Sequence, residues 1–191
     1  MQHGHSFEGA IISSTLFLAE HPNEYVLCGG VDELTETVHG LFQRVSIYSA
    51  TPYAPDDTST VHNGAIAGEG AGFFLVSANP EGAKARISGI DLFSEYNTPV
   101  SQRIQSTIES AGGLRNTDFL LIGAYGDSRS ESSYPQLLEH GIRYRHTSGA
   151  WGTDIAPAMA RLVNNWPSGK ERAWIVNHWG HDWSVWLLER V

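Results

Sequence analysis

Four kinds of side chain in this 191-residue sequence have types suited to chemistry: one thiol, a serine at the head of an apolar stretch, paired histidines and a glycine-rich run. The thiol, Cys28, lies inside the apolar run YVLCGGV with no base close to it in sequence, the setting of an inert buried cysteine. Ser6 ends the step His-Gly-His-Ser, which leads straight into SFEGAIISSTLFLAE. A helix that begins there offers unpaired backbone N–H groups to developing negative charge, so this turn suits an acyl-transfer nucleophile. No serine, however, has the Gly-x-Ser-x-Gly elbow of a Ser-His-Asp hydrolase. His3 and His5 flank Gly4, and His178 and His181 sit in NHWGHDW, so four imidazoles are available to a metal. The second pair spans a turn instead of one helical face, and HExxH is absent; hydrogen-bonded or solvated histidines are the plainer reading. The run GEGAG, Gly68 to Gly72, is followed by Phe73, Phe74, Leu75 and Val76, which favour a strand, whereas a nucleotide fingerprint must open a helix. Close backbone packing by small residues accounts for it better.

The elements that must position these groups follow from pattern. Residues 6–20 read as a buried helix with Phe7, Ala10, Ile11 and Leu18 on one stripe and Ser6 in the capping place. Residues 25–33 read as a buried parallel strand stopped by a glycine pair, and 35–46 as a further helix. From 47 to 63 turn formers prevail without periodicity, which predicts a long surface loop. Two strands, 65–78 and 83–94, are expected to form a hairpin across Asn-Pro-Glu-Gly at 79–82. Residues 100–113 read as a helix stopped by Gly112 and Gly113, 118–127 as a buried strand, 134–141 as a short helix and 153–165 as another. A closing strand pair covers 172–180 and 184–191. The order is α/β, and the apolar strands imply helices packed on both sheet faces.

Composition narrows the partners. Twelve Lys and Arg stand against 21 Asp and Glu, a formal charge of -9, which argues against nucleic acid or an anionic membrane as the main partner. One cysteine excludes an internal disulfide framework and a cysteine-based zinc site, and suits a reducing, cytoplasmic compartment. No apolar run reaches the roughly 18 to 20 residues of a membrane span. The length fits a single domain, 1–191.

Taken in order, HSFEGAIISSTLFLAEHPNEYVLCGGVDEL, then GEGAGFFLVS at 68–77, then ARISGIDLF, resemble the beta-ketoacyl synthases, condensing enzymes of fatty-acid and polyketide synthesis with a thiolase-like fold. In that family the nucleophilic cysteine heads a buried helix that leads to a strand ending in Gly-Gly-Val. The later RHTSGAWGTDIAPAM and WIVNHWGHDWSVWLLE are similar to the closing helix and strands of a short, divergent subgroup from aryl polyene and flexirubin pigment clusters, in which a degenerate synthase subunit accompanies an active one. The resemblance covers nearly the whole chain apart from 47–63. It implies a thiolase-like α/β fold of mixed sheet layers with helices on both faces, incomplete on its N-terminal side because the family's early strands have no counterpart.

The same resemblance implies that the catalytic set has been lost. The nucleophile position falls on His5 or Ser6; the turn of the family's first histidine matches GAYGD, with Tyr125 in its place; the step of the second matches Gly149-Ala150, where Ala150 replaces it. His146, Asn177 and His178 remain as candidates to line a relict pocket. Condensation needs a thiolate, which is both nucleophile and leaving group. The leading expectation is a catalytically degenerate partner subunit, like a chain-length factor, that pairs with a catalytic ketoacyl synthase and meets an acyl carrier protein, with no cofactor. A dimer is expected, homomeric in isolation and heteromeric with the synthase. Two alternatives stand beside it: an acyltransferase using Ser6 with His146 or His178 as base, and a metal-binding hydrolase using the histidine pairs.

Overall fold

The computed structural model describes residues 5–51, 63–96, 99–124, 134, 137, 139, 141–145 and 149–191. Its elements are α1 (Ser6–Glu20), β1 (Tyr25–Asp32), α2 (Glu36–Arg44), β2 (Gly70–Ser77), β3 (Ala85–Ser94), α3 (Val100–Ser110), β4 (Phe119–Ile122), β5 (Ile142–Arg143), α4 (Ile155–Asn164), β6 (Arg172–Trp179) and β7 (Asp182–Arg190).

A mixed five-stranded sheet runs in the order β3-β7-β6-β4-β5, and β1 and β2 form a separate two-stranded sheet. β6 and β7, the two central strands read from the sequence as a closing pair, form an antiparallel hairpin whose turn places Gly180 at φ 62°. Nearly every residue of both is buried, as expected of strands covered on both faces. Side chains alternate across them. Ala173, Ile175, Trp186 and Leu188 face a core shared with Phe7 and Ile11 of α1 and with Ile155 and Met159 of α4. Trp174, Val176, Val185 and Leu187 face the opposite core, closed by Ile104 and Ile108 of α3.

The result is layered: α3, the large sheet, then α1 with α4, then the β1–β2 sheet. Position between two sheets explains the composition of α1. The buried Ser14 turns its hydroxyl onto the Ala10 carbonyl of the helix itself at 2.7 Å, so a polar residue enters the buried layer with its hydroxyl paired, and the exposed Thr15 does the same to Ile11 at 2.9 Å.

Two expectations of strand pairing need correction. β1 is not a parallel strand: it pairs antiparallel with β2, from Tyr25 opposite Ser77 to Asp32 opposite Gly70. β2 and β3 do not form a hairpin either. The turn at 79–82 exists, with Asn79 Oδ1 accepting from Glu81 N at 3.0 Å and Gly82 at φ 74°, but it carries the chain from one sheet to the other, where β3 pairs with β7. Turn chemistry fixes a reversal and says nothing about which edges meet afterwards. The expected mixed sheet layers are present, with helices on both faces of the large sheet. The glycine run behaves as close packing: a Cβ on Gly72 would lie 2.6 Å from the backbone of Ala156 and Pro157 in α4. The expected short helix at 134–141 falls mostly outside the described residues, and no described helix is long and apolar enough to cross a membrane.

Candidate functional site

His5 occupies the N-cap of α1 and is buried against the start of β7. Its two ring nitrogens both face acceptors: Nδ1 lies 2.8 Å from Glu8 Oε1, and Nε2 lies 2.9 Å from the Asp182 carbonyl oxygen. Two acceptors favour the ring form in which each nitrogen carries a proton, the imidazolium. Burial opposes that charge, yet the hydrogen bond and charge of Glu8, reinforced by Asp182, outweigh it and raise the His5 pKa above the usual imidazole value.

Glu8 lies one turn further along α1 and is wholly buried. Its Oε1 also accepts from Asn177 Nδ2 at 3.0 Å and from Ser184 Oγ at 3.0 Å, while Oε2 has no hydrogen-bond partner among the described residues. Asn177, on β6, is the bridge to a second buried group. Its Oδ1 accepts from the Tyr144 hydroxyl at 2.7 Å and from Arg145 Nη2 at 2.9 Å. Arg145 is paired with Asp154 at the head of α4, and it also donates to the carbonyls of Gly123 and, at 2.9 Å, His178. Burial drives the Tyr144 pKa well up and raises that of Asp154, where Arg145 offsets the effect only in part. One continuous polar network thus joins the heads of α1 and α4 through the two central strands.

His178 faces the other side of the large sheet. Its Nδ1 is 2.7 Å from the Tyr134 hydroxyl, and its ring stacks on Trp183 at 4.5 Å. Burial first, then the positive charges of Arg145 and His5, push its pKa well below the ordinary value, so the ring is neutral. A cavity of about 260 Å³ opens beside His5, walled by Leu92, Phe93, Asp182 and Trp183.

The residues expected at the site separate cleanly. Asn177 is a central member of the network. His5 sits at the nucleophile position, but its nitrogens are spent on Glu8 and Asp182. Ser6 is exposed on the first turn of α1, and no described imidazole is hydrogen-bonded to it. Ala150 is buried in a backbone bridge to Ala67 and contributes only a methyl group. Tyr125 and His146 lie outside the described residues, as does His3. Cys28 is buried on the inner face of β1, and burial raises its pKa against an opposing hydrogen bond from Ser14. Of the paired histidines that are described, His5 is engaged by Glu8, His178 by Tyr134 and His181 by Glu95, and the described residues hold no group of three or more ligands placed for a metal. Glu8, Tyr144, Arg145, Asp154 and Ser184 escaped the sequence reading. The signal for Glu8 was a carboxylate between Phe7 and Ile11 on the apolar stripe of a helix, three residues after a histidine.

No protein-family model and no curated protein sequence matches the chain. Solved structures do. A beta-ketoacyl synthase from Burkholderia phymatum superposes with a TM-score of 0.72 at 18% identity, over 99% of this chain and 60% of that one. The ketosynthase in complex with its chain length factor from Xenorhabdus doucetiae gives 0.77 at 14% identity, over 100% and 59%. The ishigamide ketosynthase/chain length factor gives 0.73 at 14% identity, over 97% and 59%. The fold is therefore the thiolase-like α/β fold of ketosynthases and chain length factors. This chain spans about three fifths of the length of those proteins.

Proposed function

We propose that this chain is a non-condensing, chain-length-factor-like subunit of a ketosynthase assembly in fatty-acid or pigment-type polyketide biosynthesis. The observation that carries the reading is the state of His5. At the head of the central helix, where a condensing enzyme presents a thiolate, this chain places an imidazolium clamped between Glu8 and the Asp182 carbonyl. A protonated ring has no lone pair with which to attack a thioester. Cys28 offers no substitute, being turned into the core with its thiol kept protonated by burial. The network around Asn177 then serves to hold a catalytic-type scaffold in shape without catalysis. Likeness to ketosynthase and chain length factor structures supports a partner role in a heteromer, with a catalytic synthase and an acyl carrier protein as the other components in the cytoplasm.

The test is co-expression with a cysteine-bearing ketosynthase from the same genome. The pair is expected to co-purify and to extend an acyl carrier thioester, and the 191-residue chain alone to form neither product nor adduct. Condensation by the isolated chain, or stoichiometric acylation of Cys28 or Ser6 in intact-mass spectra, would overturn the reading.

A further inference from the structure

Asn177 stands between two buried ion pairs and turns a different end of its amide to each. Its Nδ2 donates to Glu8 Oε1 at 3.0 Å, while its Oδ1 accepts from Arg145 Nη2 at 2.9 Å and from the Tyr144 hydroxyl at 2.7 Å. An ionised carboxylate can only accept and a guanidinium can only donate, so one orientation of the amide satisfies both neighbours, and the reverse sets acceptor against acceptor and donor against donor. The two ends of an amide have nearly the same shape, so packing does not choose between them. The charges choose.

Arg145 is itself held fast. Its Nη2 also donates to Asp154 Oδ1 at 3.0 Å and to the His178 carbonyl at 2.9 Å, its Nε to Asp154 Oδ2 and its Nη1 to the Gly123 carbonyl. Gly123 leaves room for the cluster: a Cβ there would lie 2.7 Å from Asn177 Oδ1 and 2.9 Å from the Tyr144 hydroxyl oxygen. On the other side of the amide, Glu8 Oε1 receives three donors, His5 Nδ1 at 2.8 Å, Asn177 Nδ2 and Ser184 Oγ. Each hydrogen bond to a carboxylate stabilises its charged form and makes it a weaker base toward the remaining donors. Asn177 therefore loosens the grip of Glu8 on the His5 proton, and does so only while Nδ2 is turned toward Glu8.

We propose that Asn177 is a positioning residue through which the ion pair of Arg145 and Asp154, at the head of α4, sets how firmly His5 and Glu8 hold their shared proton at the head of α1. This coupling rests on the subunit reading for its functional meaning, and adds that the inert state of His5 is governed from the second pair. The other titratable groups around His5 and Glu8 are Asp182 of β7, whose carbonyl takes Nε2, His178 of β6, which feels the His5 charge, and Tyr144, which feels Glu8 and in turn Tyr134 and Asp154.

The ring nitrogens of His5 are titrated by NMR in the full chain. Asn177→Leu is expected to raise the midpoint by about half a pH unit or more, roughly threefold in proton affinity. A merely structural loss would loosen the site, admit water and lower the midpoint toward the ordinary imidazole value. Arg145→Met/Asp154→Leu, which removes both charges together, is expected to raise the midpoint similarly, and to have less than about a third of that effect in the Asn177→Leu background, because a coupling carried by the amide vanishes with it. A full effect in that background would be the direct field of the charges and overturns the proposal, as does a fall in Asn177→Leu or no response to the charge removal. Should Asn177→Leu not fold, the amide itself reports. Nuclear Overhauser contacts of the Asn177 side-chain NH2 are expected to be strongest to Glu8 and Ser184 in the native chain, and to divide between these and Tyr144 once Arg145 and Asp154 are replaced; one unchanged orientation overturns the proposal. If the midpoints fail while the chain alone still forms neither product nor adduct from an acyl carrier thioester, the subunit reading stands without the coupling. Condensation by the chain with the midpoints as expected removes that reading and leaves the coupling.

Discussion

His5 Nδ1 sits 2.8 Å from Oε1 of Glu8, two side chains one helical turn apart and both buried where α1 meets β7. The pair converts the head of the helix from a reactive site into a structural joint. Glu8 holds the imidazolium, and the same oxygen accepts hydrogen bonds from Asn177 and Ser184 on the two central strands.

Replacing Glu8 by glutamine keeps the volume and removes the charge. The expected loss is about 3 kcal/mol, the scale for leaving a buried ion without its partner. Urea unfolding at pH 6 measures it, and NMR titration should show the His5 pKa falling. A loss within about 0.5 kcal/mol, the scale of a featureless surface change, would mean that the pair is not formed.

Two histidines with opposite shifts predict a stability maximum near neutrality. His5 has a raised folded pKa, so its contribution is complete below the unfolded value near 6.5 and is lost as pH rises through the folded one. His178 has a lowered folded pKa, so its contribution is present above 6.5 and is lost as pH falls toward the folded value. Unfolding free energy between pH 5 and 9 should therefore decline on both sides. His178→Gln should flatten the acid limb alone, and Glu8→Gln the alkaline limb alone.

Asp154 and Arg145 form a further buried ion pair, with side chains 0% and 1% exposed. Asp154→Asn strands the guanidinium in the core and is expected to cost about 3 to 5 kcal/mol. Arg145→Met with Asp154→Leu should recover most of that loss, because it removes both charges. Thermal denaturation of the single and double variants checks the comparison.

Glycines give a contrast of sign. Gly72→Ala would drive a Cβ to 2.6 Å from the α4 backbone and should destabilise by about 1 to 3 kcal/mol. Gly40, inside α2 with nothing within 4 Å of its added Cβ, should become more stable by about 0.5 to 1 kcal/mol as alanine. Chemical denaturation of the two variants reads both signs.

Cys28 should react slowly with thiol reagents in the native state and quickly in urea, because its thiol is buried and its pKa raised. Labelling followed by mass spectrometry gives both rates. Rapid native labelling would show that β1 opens without global unfolding.

The sequence by itself determined the elements and much of their order. Apolar periodicity defined α1, α3 and α4, uninterrupted apolar runs defined β6 and β7, and the Gly112–Gly113 pair closed α3, because these are local properties of side-chain pattern and backbone freedom. It also pointed to Asn177 and to the absence of a cysteine at the helix head. Partnership is not local, and there only the tertiary structure decided. Whether β2 turns back on β3 or pairs with β1 depends on which strand edges meet in the finished fold, and β3 lies against β7. Glu8 and Asn177 lie 169 residues apart, and Arg145 reaches Asn177 over 32, so no spacing rule unites them. Their proximity arises because α1 and α4 are pressed between two sheets, and a charge buried there persists only where the fold brings its counter-charge and hydrogen bonds into reach.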